Sequence, residues 1–287
     1  MKRLTYLIAL FGLLLTSCTD EDSLSNPPTG NNDKTVFQFS VNMPEYTSVR
    51  TRAAINENAV NDLWLMTFDA NGLFIGRAHA SLLSSNSNGT GTFQANIPDD
   101  SRIIHLIANY SQWDSFDKRA AMQKDEREII PSLSSSNLVF WGRQTISSPS
   151  DSPNVTLYRN LAKVTIENEA TNFEVTGYAL CNYTSSGTVA PFNPSAPTTP
   201  FTLIDGKPTL PRNPISKTDQ NAADCNMEPK YMFENENFSN DQTYIILKGK
   251  LAGKTEDLYY KIQLLDTDKN PYPVMRNYHY KIVIKSF

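Results

Sequence analysis

From Phe37 to Met43 apolar and polar positions alternate strictly, with Phe37, Phe39, Val41 and Met43 on one face of an extended chain and Gln38, Ser40 and Asn42 on the other. The pattern predicts an edge strand, and the loop that follows carries Arg50-Thr51-Arg52-Ala53, an Arg-X-Arg-Ala step open to a trypsin-like protease. Farther on, 62–69 and 73–80 flank Asn71-Gly72, a strong hairpin signal. Phe93, Ala95 and Ile97 alternate again, and the continuous apolar run 102–110 reads as a central strand buried on both faces.

The charged run 117–128 is rich in helix formers and predicts one or two short helices with a solvated face. Strand patterns return at 138–142 and 155–158 and close a first domain over 34–156. A second domain, 157–287, opens with Leu161, Val164 and Ile166 interleaved with polar residues, and 173–183 reads as the partner strand. Between 184 and 229 lie 8 of the 17 prolines, which predicts a long loop region with edge strands at most. Strands at 243–251 and 258–265 form a second hairpin, and a last strand places Tyr278, Tyr280, Ile282 and Ile284 on one face. The expected fold class is all-β, built from β-sandwiches with short helices confined to the first.

The N-terminus adds an address. Lys2 and Arg3 precede an apolar run from Leu4 to Leu15, followed by the lipobox Leu15-Thr16-Ser17-Cys18. Twelve helical residues span only about 18 Å, short of the ~30 Å hydrocarbon core, so the run predicts a signal peptide over 1–17 rather than a span. Lipidation is expected at Cys18, and 18–33 forms a Pro-, Gly-, Asn- and Ser-rich tether. Without the leader the chain carries 24 basic and 30 acidic residues, a balance that argues against nucleic acid as a partner. Cys181 and Cys225 remain, and the sequence leaves open a disulfide or two buried free thiols.

Catalytic chemistry is not in evidence. His79, His105 and His279 lie far apart in predicted strands, without metal-ligand spacing. Asp266-Thr-Asp-Lys-Asn270 opens like a calcium loop, but Pro271 and Asn277 stand where the glycine and the glutamate belong, so a turn is expected. No phosphate loop, dinucleotide fingerprint or nucleophile elbow occurs, and the reading is a non-enzyme without cofactor or metal. Trp113, Trp141 and Tyr183 near loops offer an alternative, a glycan-binding platform on a surface lipoprotein.

Three stretches in order, Leu157-Tyr-Arg-Asn-Leu-Ala-Lys-Val-Thr-Ile166, Glu234-Asn235, and Arg276-Asn-Tyr-His-Tyr-Lys-Ile-Val-Ile284 after Tyr259-Tyr260, resemble the fimbrillin families of Bacteroidota, the FimA and Mfa-like subunits and anchors of type V pili. The acidic run 19–22 after Cys18 likewise resembles the signal that sends lipoproteins of that phylum to the outer face of the outer membrane. The resemblance implies two transthyretin-like β-sandwich domains and a surface-facing lipoprotein. It also implies cleavage by an arginine-specific protease at Arg52-Ala53, or at Arg50-Thr51, which removes the strand of Phe37, Phe39, Val41 and Met43. A strand from a neighbouring pilus subunit then fills the groove, and a host or bacterial surface molecule is the adhesion ligand. The stalk subunits of the family carry their donor strand beyond the last strand of the second domain, whereas this sequence stops at Phe287. The reading therefore leaves open a tip, an anchor, or part of a longer protein.

Overall fold

The computed structural model of the chain describes residues 33–44, 59–85, 90–111, 129–130, 138–189, 217–237, 240–266 and 268–287. The expected leader, tether and Arg50–Ala53 loop, and the charged run read as helices, lie outside them. Among the described residues the helical content is a single 3-10 turn, Ala222–Asp224, and the rest of the regular structure is β.

The first half supplies β1 (Lys34–Asn42), β2 (Leu63–Phe68), β3 (Phe74–His79), β4 (Ser81–Ser85), β5 (Gly91–Pro98), β6 (Ile103–Ala108), β7 (Ile129–Ile130), β8 (Phe140–Thr145), β9 (Asn154–Thr156) and β10 (Tyr158–Arg159). Two sheets form from them, in the orders β4-β5-β1-β9 and β10-β8-β6-β2-β3. They pack face to face because each strand turns one apolar row inward. Phe37, Phe39, Val41, Phe93 and Ile97 from one sheet meet Leu63, Leu65, Ile104, Leu106 and Phe140 from the other.

β6 is buried along its whole length. Its second row, Ile103 and Ile107, is covered together with Met66, Phe68 and Trp141 by a further cluster that includes Val189. The β2–β3 hairpin turns as expected: Asp69 Oδ1 accepts the N–H groups of Asn71 and Leu73 at 2.8 and 2.9 Å, and Gly72 takes φ +76°.

The second half contributes β11 (Ala162–Asn168), β12 (Phe173–Cys181), β13 (Tyr183–Thr184), β14 (Gly187–Thr188), β15 (Lys217–Thr218), β16 (Lys230–Met232), β17 (Tyr244–Leu251), β18 (Leu258–Gln263) and β19 (His279–Ile284). Sheets β16-β11-β19 and β12-β17-β18 enclose Val164, Tyr178, Leu180, Ile245, Leu247 and Val274. β17 and β18 turn at Gly253, φ +74°. β11 and β19 run parallel, from Lys163↔His279 to Asn168↔Ile284. The halves interlock, since β10 closes the five-stranded sheet and Leu157, Leu161, Tyr231 and Phe233 all belong to the first core.

Candidate functional site

β1 is not an edge strand. It runs antiparallel to β5 from Lys34↔Pro98 to Val41↔Gly91, and parallel to β9 from Ser40↔Asn154 to Asn42↔Thr156. The expectation of an edge fails because the partner on the second side is a three-residue strand more than a hundred residues away, which local alternation cannot reveal. At that seam the Ser40 N–H donates to Pro153 O at 2.9 Å and the Leu157 N–H to Asn42 O at 2.9 Å.

The inward row behaves as the alternation requires. Phe37, Phe39 and Val41 are at most 2% exposed, and Met43 packs half-buried against the same cluster. Phe37 and Phe39 stack at 5.2 Å between ring centroids, and Phe39 stacks on Phe93 at 5.8 Å. β1 thus lies in a slot with two backbone walls, β5 and β9, and an apolar floor supplied by the facing sheet. Without β1 both walls would carry unpaired N–H and C=O groups beside an uncovered core.

Where β1 ends, the chain is held by a residue from the facing sheet. The Arg159 side chain is 1% exposed, and its Nη1 donates to Pro44 O at 2.9 Å and to Asn277 Oδ1 at 2.8 Å. Its backbone is set by pairing with Phe140, and the guanidinium lies 5.7 Å from that ring. Asn277 sits at φ +60° and donates its N–H to Leu161 O at 2.9 Å, a turn that aims its amide at Arg159. The neighbouring Arg276 turns the other way, to Glu234 and to Val189 O. Burial pushes the Glu234 carboxyl up from its ordinary range, against the opposing pull of the Arg276 guanidinium. Asn235 completes the node, its Nδ2 donating to Thr184 Oγ1 at 3.0 Å. The motifs Leu157–Ile166, Glu234-Asn235 and Arg276–Ile284 therefore meet in space through these polar residues. Sequence reading singled out the motifs but assigned Arg159, Asn277, Glu234 and Arg276 no role; charged residues inside otherwise apolar strand patterns were the available signal.

The remaining candidates separate clearly. Cys181 and Cys225 are free thiols of intermediate burial, and burial pushes the Cys181 thiol up. Trp141 is 3% exposed and donates Nε1–H to His105 Nδ1 at 3.1 Å, so it is a core residue and not a glycan platform. Trp113 lies outside the described residues. Tyr183 lines a polar cavity of about 600 Å3 with Asp219, Gln220, Asn221, Asp224 and Lys230. That cavity is knit by its own bonds: Asp219 accepts from the Asn182 N–H at 2.7 Å, Gln220 from the Leu180 N–H at 2.8 Å, and Asp224 from the Asn221 N–H at 2.9 Å. His79 meets Asp62 at 2.7 Å, and His279 meets Thr165 Oγ1 at 2.7 Å. No three metal-ligating side chains cluster among the described residues. Asp266 forms the expected turn, accepting the N–H groups of Asp268 and Asn270.

Fold and slot together define an all-β protein of paired sheets, one of which closes around the chain's own first strand. The chain is similar to fimbrial proteins of Bacteroidota, the group that its sequence motifs resemble. It is 33% identical over 304 aligned positions to the major fimbrium tip subunit FimE of Porphyromonas gingivalis, a match that takes in 97% of this chain and 52% of that protein. The chain thus spans about half the length of the curated relatives it matches. Its fold is shared with a fimbrial assembly protein of Parabacteroides distasonis, with TM-score 0.53, 15% identity, and coverage of 88% of this chain and 93% of that one. It is shared also with the tip fimbrial protein Mfa3 of Porphyromonas gingivalis with C-terminal truncation, with TM-score 0.51, 17% identity, and coverage of 88% and 96%. No protein-family model matches the chain.

Proposed function

We propose that the protein is a surface-exposed fimbrial subunit, made as a lipoprotein on Cys18, whose first strand is a removable occupant of the β5–β9 slot. The observation that carries this reading is the placement of β1. Phe37, Phe39 and Val41 of its apolar row are fully buried, it is bonded on both sides to strands distant in sequence, and it is followed by the segment holding Arg50 and Arg52. Cleavage at Arg52-Ala53, with Arg50-Thr51 second, separates lipid, tether and β1 from everything else. Each inward side chain that leaves uncovers apolar surface worth about 1.5–3 kcal/mol, so the emptied slot has a strong drive to take another strand.

Several features support the reading: the lipobox at Leu15–Cys18, the likeness to a fimbrial tip subunit, and the two-walled slot. The partners are then other pilus subunits, through strand exchange, and the outer membrane, through lipid until the cut. The organisation is a sandwich built mainly from 34–156 and a second built mainly from 157–287, with β10, Leu157, Leu161, Tyr231 and Phe233 of the second stretch packed into the first, and the task is adhesion at the cell surface.

Treatment of the delipidated chain with an arginine-specific protease tests the proposal. The expected product begins at Ala53 or Thr51 and forms laddered oligomers. A folded chain that resists the protease throughout 47–56, or that is cut and stays monomeric with β1 retained, overturns it. In cells, Arg50→Ala with Arg52→Ala holds the protein in its lipidated form.

A further inference from the structure

The alternation of β1 does not by itself fix where a strand stops in the slot. A slip of one residue turns Phe37, Phe39, Val41 and Met43 outward and is excluded by burial. Under a slip of two residues large apolar side chains still face the core, so the row discriminates poorly against it. Thr35 Oγ1 donates to Asp99 Oδ1 at 2.6 Å near the start of β1, but that bond needs a hydroxyl side chain at one position. The bond at the other end needs only backbone, because the acceptor for Arg159 is the carbonyl of Pro44.

Pro44 has no N–H to offer a ladder, and it follows directly on the last inward residue, Met43. Asn42 O is taken by the Leu157 N–H, and two residues beyond that seam contact the Pro44 carbonyl faces a side-chain donor. A slip of two residues moves it by roughly 6.6 Å, well outside hydrogen-bond reach of a guanidinium that pairing with Phe140 and the bond to Asn277 hold in place.

We infer that Arg159 is the register stop of the first-strand slot, and that the partner it fits is a donated strand with four alternating apolar residues, aromatic at the first two, followed at once by a residue that leaves the ladder and turns its backbone carbonyl to the guanidinium. This inference rests on the slot reading above. It adds to that reading the rule by which one donated strand, in one register, is preferred. Because the same Nη1 also holds Asn277, the stop is anchored at the turn between Arg276 and Tyr278, and its place does not depend on the strand it receives.

The test uses the full chain nicked by the arginine-specific protease, with two labelled peptides of residues 34–44 that end as the carboxamide and as the thiocarboxamide of Pro44. Sulfur is a poor acceptor, so the second peptide keeps every side chain and weakens one bond. The carboxamide is expected to displace the cut strand, read by fluorescence anisotropy, with an affinity about tenfold or more above that of the thio peptide. In Arg159→Met the two converge. Equal entry of both peptides into the wild-type chain overturns the register stop while leaving the slot reading intact.

If neither peptide enters, the slot reading fails, and the stop is judged on the uncut chain by amide exchange. Arg159→Met then speeds exchange at Ser40 and Leu157 about tenfold, and Asn277→Ala, which takes one anchor from the guanidinium, speeds them less, with Ile245 and Leu247 unchanged in both. Uniform acceleration, or none at Ser40, overturns it.

Discussion

Arg276 Nε lies 3.0 Å from Glu234 Oε1, with the two side chains 2% and 1% exposed, so a charge pair is sealed where the second half meets the first. Removing one partner strands the other charge in the interior. Glu234→Gln is therefore expected to lower the unfolding free energy by about 3–5 kcal/mol, measured by urea denaturation. The double variant Glu234→Leu with Arg276→Met should recover much of that loss, because the desolvation of both charges disappears together. A double variant no better than Glu234→Gln would place the value of the pair in its contact with Val189 O instead.

Gly142 lies where β8 of one sheet passes against β9 of the other. A Cβ there would lie 2.5 Å from Thr156 O and 2.9 Å from the Leu157 side chain. Gly142→Ala must push β8 away from the β9–β10 strand corner. A loss of about 1–3 kcal/mol is expected from overpacking, checked by thermal unfolding, whereas Gly253→Ala faces open space and is strained only by its φ of +74°.

Phe39 tests whether β1 leaves as a unit. In the uncut chain Phe39→Ala empties a fully buried ring site and should cost about 3–5 kcal/mol. In protein from which the first strand has been removed the substitution has left with the strand, so cut wild type and cut variant should unfold at the same urea concentration. A stability difference that survives the cut would mean that β1 stays bound.

The thiols give a check independent of function. Cys181 and Cys225 are unbonded, so the chain unfolded without reductant should take up two equivalents of iodoacetamide at these positions, read by peptide mass. In the native chain Cys181 should react slowly near neutral pH, because burial raises its thiol pKa and lowers the thiolate fraction.

Strands whose register is local were legible in the sequence. The Asn71-Gly72 hairpin, the β17–β18 hairpin and the doubly buried β6 stand where alternation and turn chemistry put them. What alternation could not supply was the neighbour on the far side. Three residues, Asn154 to Thr156, convert β1 from an edge into an interior strand, and their pattern is too short to announce a parallel partner. The same limit hid the polar node. Arg159, Glu234 and Arg276 have no local partner that would mark them as buried, yet all three are at most 3% exposed, because their partners are supplied by segments from 42 to 118 residues away. Trp141 failed in the opposite direction, since it stands near the end of a short strand pattern beside a loop, while its indole is buried against His105.

The parallel pairing of β11 with β19 has a mechanical meaning. Force that enters ahead of Ala162 and leaves beyond Ile284 pulls two parallel strands lengthwise past each other, so the ladder from Lys163↔His279 to Asn168↔Ile284 carries the load in shear. Every rung is stretched at once, where a hairpin pulled from its open end would unzip rung by rung. A subunit threaded into a fibre through its first sandwich and tethered beyond its last strand would hold tension along its strongest axis.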